Sequence, residues 1–258
     1  MSAGATVLAY HAIGVCNVSD DPHSLFLSPE VFETQMAFLS RHRRVVPLDD
    51  LVRASVSPGK PAVAITFDDG YRATFEQGLP ILERYELPAS VFVPTRFVGD
   101  RNRWDEPSRC SLEIMTEDEL RAADARGLSV ESHGHGHLDL SGASVDEARQ
   151  DLAQSIAVLT EVLARRPRFL AYPFSRGSRG AQRAAAELGF VAAFNVAGRD
   201  EGQFSRARVP VTRVDPPWLF RLQTAGQYSR LRYAGLTESV LGVRRRIRRG
   251  LRRSLADQ

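Results

Sequence analysis

Short apolar runs rich in β-branched residues alternate along the chain with segments of helical periodicity. Continuous apolar runs of this kind are typical of strands that are buried on both faces of a parallel sheet. Helix-start signals lie between several of these runs, such as Ser28-Pro29 and a capping box at 116–119. A longer amphipathic pattern covers 145–165. The alternation predicts an α/β fold, an irregular (β/α) barrel with fewer than eight regular units. The predicted strands cover 6–10, 45–46, 62–67, 89–93, 127–130, 169–172 and 191–194.

The composition is that of an ordinary globular domain, with 43% hydrophobic and 25% charged residues in a chain of 258. This length can hold one barrel-sized domain with a large core. We therefore expect a single domain over 1–242 and a basic tail over 243–258. Two cysteines, Cys16 and Cys110, are too few for a disulfide framework.

The net charge of +3 reflects the tail more than the domain. The tail is rich in arginine, and Val243, Ile247, Leu251 and Leu255 recur in it at intervals of four. Such a helix could lie on an anionic membrane surface, and a solvated C-terminus is the plain alternative. No nucleic-acid motif accompanies the charge. The N-terminus lacks a signal-peptide pattern and no window approaches the ~18 apolar residues of a membrane span, so we expect a cytoplasmic protein whose only membrane contact would be through the tail.

Two adjacent carboxylates, Asp68 and Asp69, end the predicted strand at 62–67 and are followed by Gly70. Side chains alternate along a strand, so the two carboxylates should point in different directions. One could then face a metal ion while the other faces the group that the metal activates. The carboxyl end of a parallel strand is also where α/β folds place their chemistry. A solvated Asp-Asp-Gly turn is the plain alternative for this tripeptide alone.

Three of the six histidines fall within five residues, as His133, His135 and His137, after the predicted strand at 127–130. Two neutral imidazoles and one carboxylate are a common ligand set for a divalent transition metal that keeps an open position. In a helical turn His133 and His137 would share a face, whereas in an extended segment all three imidazoles would. The glycine-spaced triplet therefore predicts a metal site but leaves open which imidazoles bind.

Together, these motifs resemble those of the polysaccharide deacetylases, carbohydrate esterase family 4. The first motif of that family, T-F-D-D-G, is intact at 66–70, and the second, H-[ST]-x-x-H, matches 133–137 with glycine in its second slot. The L-D-L that follows and the A-Y-P-F at 171–174 also fit, and the resemblance runs from about residue 6 to residue 215. It is similar in particular to the variants with a Tyr-His pair on the first strand, here Tyr10-His11.

The resemblance implies a metal ion held by Asp69, His133 and His137, with zinc ahead of cobalt or nickel, and Asp68 as the catalytic base. It also implies that the backbone N–H of Phe174 stabilises the oxyanion of the reaction. The partner would be an acetylated sugar or glycan precursor. The residues expected to bind that substrate are Tyr10, Tyr71, Trp104, Tyr172 and Pro173.

Two departures from the family pattern concern the groups that handle protons. The arginine that orients the base in the third motif is replaced by Ala171, and Arg208, in the R-V-P-V at 208–211, is the expected substitute, with a surface arginine as the alternative. No histidine follows His137, so the late L-x-H proton donor is missing. His11 becomes the expected general acid, on the side of the metal opposite Asp68, with His135 as the fallback.

We therefore expect a metal-dependent hydrolase that removes an N-acetyl (or O-acetyl) group from a sugar. The first alternative is an amidase- or imidase-like hydrolase of the same fold that acts on another C–N bond. The second is a catalytically impaired, carbohydrate-binding relative, which the lost arginine and the lost late histidine would favour. The intact Asp68 argues against it, because a binding module needs no base.

Overall fold

The structure, a computed structural model, describes residues 5–14, 21, 24–53, 59–105, 111–175, 177–196, 202–226 and 228. The predicted tail over 243–258 and both cysteines lie outside the described residues. The strands are β1 (Ala5–Tyr10), β2 (Ala12–Ile13), β3 (Phe26–Leu27), β4 (Arg44–Val45), β5 (Ala62–Phe67), β6 (Ala89–Val93), β7 (Leu128–Ser132), β8 (Phe169–Ala171), β9 (Ala192–Asn195), β10 (Arg206–Ala207) and β11 (Val209–Pro210). The helices are α1 (Pro29–His42), α2 (Leu48–Val52), α3 (Leu79–Arg84), α4 (Glu117–Ala125), α5 (Val145–Leu163), α6 (Arg179–Glu187) and α7 (Pro217–Gln223).

The main sheet is parallel throughout and nearly closes into a barrel. Its strand order is β10-β9-β8-β7-β6-β5-β1-β11, with β4 paired to β5. The two ends of this order, β10 and β11, are separated along the chain by a single residue, Arg208. Since β10 pairs with β9 and β11 pairs with β1, one short segment bridges the two ends of the sheet. This arrangement confirms the predicted irregular (β/α) barrel and places Arg208 at its seam.

The strands are apolar because both of their faces are covered. All six residues of β5 are buried, and β1 is buried from its second residue onward. Alternate side chains of five strands of the main sheet pack together in one apolar cluster, which includes Val7, Ala64, Phe92, Ala171 and Phe194. Side chains that alternate with them pack against the helices, as in other small barrels.

Local sequence accounts for most helix boundaries. Thr116 and Glu119 form the predicted capping box at the start of α4. A second capping box, between Ser144 and Glu147, opens α5 and was not predicted. The amphipathic pattern correctly predicts α5, although the helix ends at Leu163 rather than at residue 165. The short elements β2, β3, β10, β11 and α7 were also missed, because two-residue strands and a seven-residue helix carry little periodic signal.

Within the part of the chain that is described, no helix is both long enough and apolar enough to cross a membrane.

Candidate metal centre and active site

Three parallel strands, β1, β5 and β7, deliver polar side chains to one mouth of the barrel. Asp68 and Asp69 follow β5, His133 follows β7, and His11 follows β1. The segment 172–174 follows β8 in the same way. Because the strands are parallel, their carboxyl ends lie at the same edge, which is where barrel enzymes carry their chemistry.

A tight turn aims the two carboxylates. Asp69 and Gly70 have φ values of +70° and +65°, so two successive residues adopt the left-handed region. A Cβ at Gly70 would lie 3.0 Å from the side chain of Val93, at the end of the neighbouring β6. Glycine is therefore required both by the backbone conformation and by the space available.

Asp69, His133 and His137 converge on one point, and all three are buried. The Oδ1 atom of Asp69 lies 3.3 Å from His133 Nε2 and 3.2 Å from His137 Nε2. The candidate ligand atoms of the three residues all lie within 4.8 Å of one another. This grouping resolves the choice of imidazoles that the sequence left open.

His135 is directed elsewhere. Its Nδ1 atom lies 2.9 Å from the hydroxyl of Thr95, at the start of the turn after β6. The segment 133–137 is neither a helix nor an extended strand, and alternate imidazoles therefore do not share a face.

The triad fits a divalent metal ion on the chemistry of its donors. His133 Nδ1 donates a hydrogen bond to the backbone carbonyl of Ala171 at 2.8 Å, which leaves a lone pair on Nε2, the atom that faces Asp69. Two of the three separations between donor atoms, the N···O distances of 3.2 and 3.3 Å, are close to the edge of a ligand tetrahedron, about 3.3 Å for bonds of roughly 2.0 Å, and all three atoms lie within 4.8 Å of one another. The three residues are thus preorganised as ligands.

Asp68 is clamped by Arg208 from the seam of the barrel. The guanidinium donates from Nη1 to Asp68 Oδ1 at 2.7 Å and from Nη2 to Oδ2 at 2.8 Å, and Nη1 also donates to the hydroxyl of Thr66 at 3.1 Å. The Arg208 side chain has no exposed surface, and it lies over the ring of Phe92. Burial raises the pKa of Asp68, but the charge and hydrogen bonds of Arg208, with the charges of His133 and His11, outweigh it and hold the pKa below its usual value.

The contact explains how a chain with alanine at position 171 still orients its carboxylate. The arginine comes from the closing segment between β10 and β11 rather than from β8. Its bidentate geometry fixes both oxygens of Asp68 in one plane. Arg208 was predicted to replace the missing arginine, and the structure shows it in contact with Asp68. The alternative, an arginine on the surface, is wrong because the side chain is buried.

His11 lies at the same mouth but beside Asp68 and not across the triad from it. Its Nε2 atom is 3.9 Å from Asp68 Oδ2, and 18% of its side chain is exposed. The expectation that it sits on the side opposite Asp68 is therefore wrong, because β1 and β5 are adjacent strands in register and both end at this point. Its Nδ1 atom is buried, with no hydrogen-bond partner among the described residues.

Comparison with known proteins agrees with this geometry. The family model described as polysaccharide deacetylase matches residues 55–193, which is more than half of the chain. The chain belongs to the polysaccharide deacetylase family.

Two family relatives are similar over most of the chain. YxkH of Bacillus subtilis (strain 168), named as a polysaccharide deacetylase, is 24% identical over 214 residues, which are 80% of this chain and 71% of YxkH. The poly-beta-1,6-N-acetyl-D-glucosamine N-deacetylase of Staphylococcus aureus (strain MRSA252) is 27% identical over 192 residues, 66% of this chain. The match spans 64% of the staphylococcal protein, just under two thirds of its length.

A solved structure shows the same fold. IcaB from Ammonifex degensii superposes with a TM-score of 0.72 at 22% identity, covering 88% of this chain and 97% of that one. The parallel barrel is therefore the barrel of the deacetylase family, reproduced over most of the chain.

Two aromatic residues of this family member border the triad of Asp69, His133 and His137. Trp104 stacks on the imidazole of His137, with ring centroids 4.1 Å apart and planes 24° apart. Phe174 approaches the same imidazole edge-on at 4.8 Å, and its side chain is 53% exposed. A φ of +52° at Phe174 turns the chain sharply there. Trp104 was expected among the substrate contacts, and its position at the mouth is compatible with that role.

Four other residues that were expected to bind the substrate have buried side chains. Tyr10 is 1% exposed and donates to Gln35 Oε1 at 2.8 Å, and Tyr172 is also 1% exposed and donates to the carbonyl of Phe204 at 2.9 Å. The ring of Tyr71 is 3% exposed in the main core cluster, and Pro173 is buried as well. These residues lie next to site residues in sequence, but for Tyr10 the alternation along β1 turns the side chain into the core, and the other three follow the ends of β5 and β8.

Sequence reasoning missed the residues that support the histidine loop from α5. Asp151 and Ser155 are buried on the face of α5 that also buries Leu152 and Ile156. A carboxylate and a hydroxyl four residues apart on an otherwise apolar face were the signal that could have identified them.

Proposed function

We propose that this family member is a metal-dependent N-deacetylase, which hydrolyses the acetamide of an N-acetylated amino sugar in a glycan or glycan precursor. The observation that carries the proposal is the ionised Asp68, clamped by Arg208 directly beside the Asp69, His133 and His137 triad. Similarity to the staphylococcal N-deacetylase of poly-N-acetylglucosamine supports the choice of an amino sugar.

The cofactor would be a divalent ion, with zinc as the first candidate, because one carboxylate and two imidazoles are donors that suit it. Such an ion would supply Lewis-acid chemistry, polarising the acetyl carbonyl and lowering the pKa of the attacking water. The remaining steps fall to the side chains around the triad.

Asp68 acts as the general base. It is the carboxylate next to the triad that takes no part in it, and Arg208 keeps it ionised and fixed in orientation. Its charge interacts with that of His133, a proposed ligand, so it lies near enough to the triad to accept the proton of the water as the C–O bond forms. The backbone N–H of Phe174 donates to the acyl oxygen as negative charge develops on it.

The arginine clamp also bears on the alternative of a catalytically impaired sugar-binding protein. That alternative rested on the missing arginine at position 171 and on the missing late histidine. Arg208 supplies the first from the segment between β10 and β11, and His11 offers an imidazole at the same mouth in place of the second. The clamped carboxylate of Asp68 beside the triad supports catalysis over binding, because a binding site needs no base.

His11 acts as the general acid, giving its proton to the amine as the C–N bond breaks. It is the partly exposed histidine at the mouth that lies outside the triad and close to Asp68, so it can reach a bound substrate. Trp104 and Phe174 border the opening above His137 and would contact the sugar or the acetyl methyl group.

Acetate release from N-acetylglucosamine oligomers tests this assignment. His11→Ala should lower kcat/KM for the amide by roughly 10²- to 10⁴-fold, because an amine leaving group needs a proton. An activated acetate ester, whose leaving group needs none, should lose much less, and the metal content should not change. His42→Ala, which removes an exposed histidine of α1, is the matched control. Equal losses on amide and ester would show that His11 is not the acid.

A further inference from the structure

The loop that carries both histidine ligands lacks regular secondary structure of its own. Residues 133–137 leave β7 and must bring two imidazoles back onto Asp69. Their backbone groups are therefore held from outside the loop. The N–H of His133 donates to the carbonyl of Val93, and the carbonyls of Gly134 and His135 accept from the N–H groups of Thr95 and Arg96.

The centre of the loop is held by one carboxylate, that of Asp151 on α5. The N–H of His135 donates to its Oδ2 at 2.9 Å and the N–H of Gly136 to its Oδ1 at 2.7 Å. Two successive backbone N–H groups thus form a small anion-binding concavity that the carboxylate fills. Asp151 is only 5% exposed, and no ion pair to an Arg, Lys or His is found for it within the described chain.

The two glycines of the H-G-H-G-H pattern make room for this carboxylate. A Cβ at Gly134 would lie 2.7 Å from Asp151 Oδ2, and one at Gly136 would lie 3.3 Å from Oδ1. Gly134 also has a φ of +76°, which side chains rarely adopt. The glycine spacing of the histidines is therefore tied to a residue 15 to 17 positions further along the chain.

Ser155, one turn along α5, holds the start of the same loop. Its Oγ lies 2.8 Å from the Oγ of Ser132, which in turn accepts the N–H of Gly134 at 3.1 Å. The helix therefore contacts the loop at two points, and the carboxylate is the stronger of them, because hydrogen bonds to an ionised acceptor are about twice as strong as neutral ones.

We propose that Asp151 is a positioning residue of the metal centre. By binding two backbone N–H groups between the ligands, it selects the loop conformation in which His133 and His137 meet Asp69 and His135 turns away to Thr95. Without this carboxylate the loop has several conformations of similar energy. Metal binding must then order the loop, and the entropic cost lowers the metal affinity. The inference rests on the metal centre of the proposed function.

Zinc affinity of the full-length protein, measured by competition with a chromophoric chelator, tests this role. Asp151→Asn preserves the size of the side chain but places an amide N–H against a backbone N–H. We expect it to weaken zinc binding by roughly 10- to 100-fold, the range for residues that support metal ligands. Asp146→Asn removes a carboxylate that is 91% exposed on the same helix and should bind zinc like the wild type.

A second pair of variants covers the case in which Asp151→Asn does not fold. Gly136→Ala presses a methyl group against the Asp151 carboxylate, whereas Gly142→Ala adds the same methyl group where nothing lies within 4 Å. Gly136→Ala should weaken zinc binding and Gly142→Ala should not.

A purely structural role for Asp151 would lower the thermal midpoint of the apoprotein and leave zinc affinity unchanged, and that result would overturn the proposal. Equal zinc affinity of the two glycine variants would overturn it as well. If the wild type binds no zinc, the metal centre of the proposed function fails instead, so the two failures are distinguishable.

Discussion

Replacing Asp68 by asparagine is expected to lower kcat/KM for an N-acetylated sugar by roughly 10²- to 10⁴-fold. The amide is nearly the same size and cannot accept the proton of the attacking water. Asp69, His133 and His137 are untouched, so the metal content should remain that of the wild type. Acetate release at several substrate concentrations, with elemental analysis of the same preparation, measures both quantities.

The control for this variant is Asp139→Asn, which changes an exposed aspartate two residues after His137. It alters the charge near the mouth by the same amount without touching Arg208. Asp68→Asn also leaves the buried guanidinium without its counter-charge, so the fraction of folded protein must be determined before the rates are compared. Wild-type turnover by a folded, metal-loaded Asp68→Asn protein would place the base elsewhere.

Arg208→Met is expected to damage both stability and activity. It leaves the Asp68 carboxylate buried at the seam of the barrel without its bidentate partner. Removing one member of a buried ion pair costs about 3–5 kcal/mol of unfolding free energy. The base would also lose its fixed orientation, so kcat should fall even under conditions where the variant is folded.

Denaturant unfolding of a double-mutant cycle separates the pair from its surroundings. Asp68→Asn combined with Arg208→Met removes both charges, so the double variant should lose less free energy than the two single variants added together. The control is Arg206→Met, in the same closing segment. Among the described residues, Arg206 donates a side-chain hydrogen bond only to the backbone carbonyl of Val52, so this variant should lose far less unfolding free energy. Strict additivity of Asp68→Asn and Arg208→Met would contradict the proposed coupling.

The metal triad could be predicted from the sequence because its members belong to two short motifs at strand ends. Local patterns such as T-F-D-D-G and H-G-H-G-H carry both the residue types and the turns that aim them. Barrel topology then brings the ends of β5 and β7 to one mouth, with only β6 between them. The contact between Asp69 and His137 spans 68 positions of the chain, and it follows from this topology.

The burial of Tyr10, Tyr71, Tyr172 and Pro173 was not foreseen, because closeness in sequence to site residues does not fix where a side chain points. Tyr10 precedes His11 on β1, but its ring packs against Phe32 and Phe67 in the core. Asp151 was missed for the opposite reason, since its contact to the histidine loop joins positions 15 and 16 residues apart through an intervening helix start. Periodicity marks such a residue as inward-facing but does not say which loop it meets.

The most direct test of the central claim is the acetate released from N-acetylglucosamine oligomers by the purified wild-type protein, measured together with the free amines that appear. We expect the two in equal amounts, no release after chelation, and recovery when zinc is restored. His137→Ala should abolish release and His135→Ala, whose imidazole is turned toward Thr95, should retain it. Release that survives chelation, or that is lost equally in both histidine variants, would contradict a deacetylase centred on Asp69, His133 and His137.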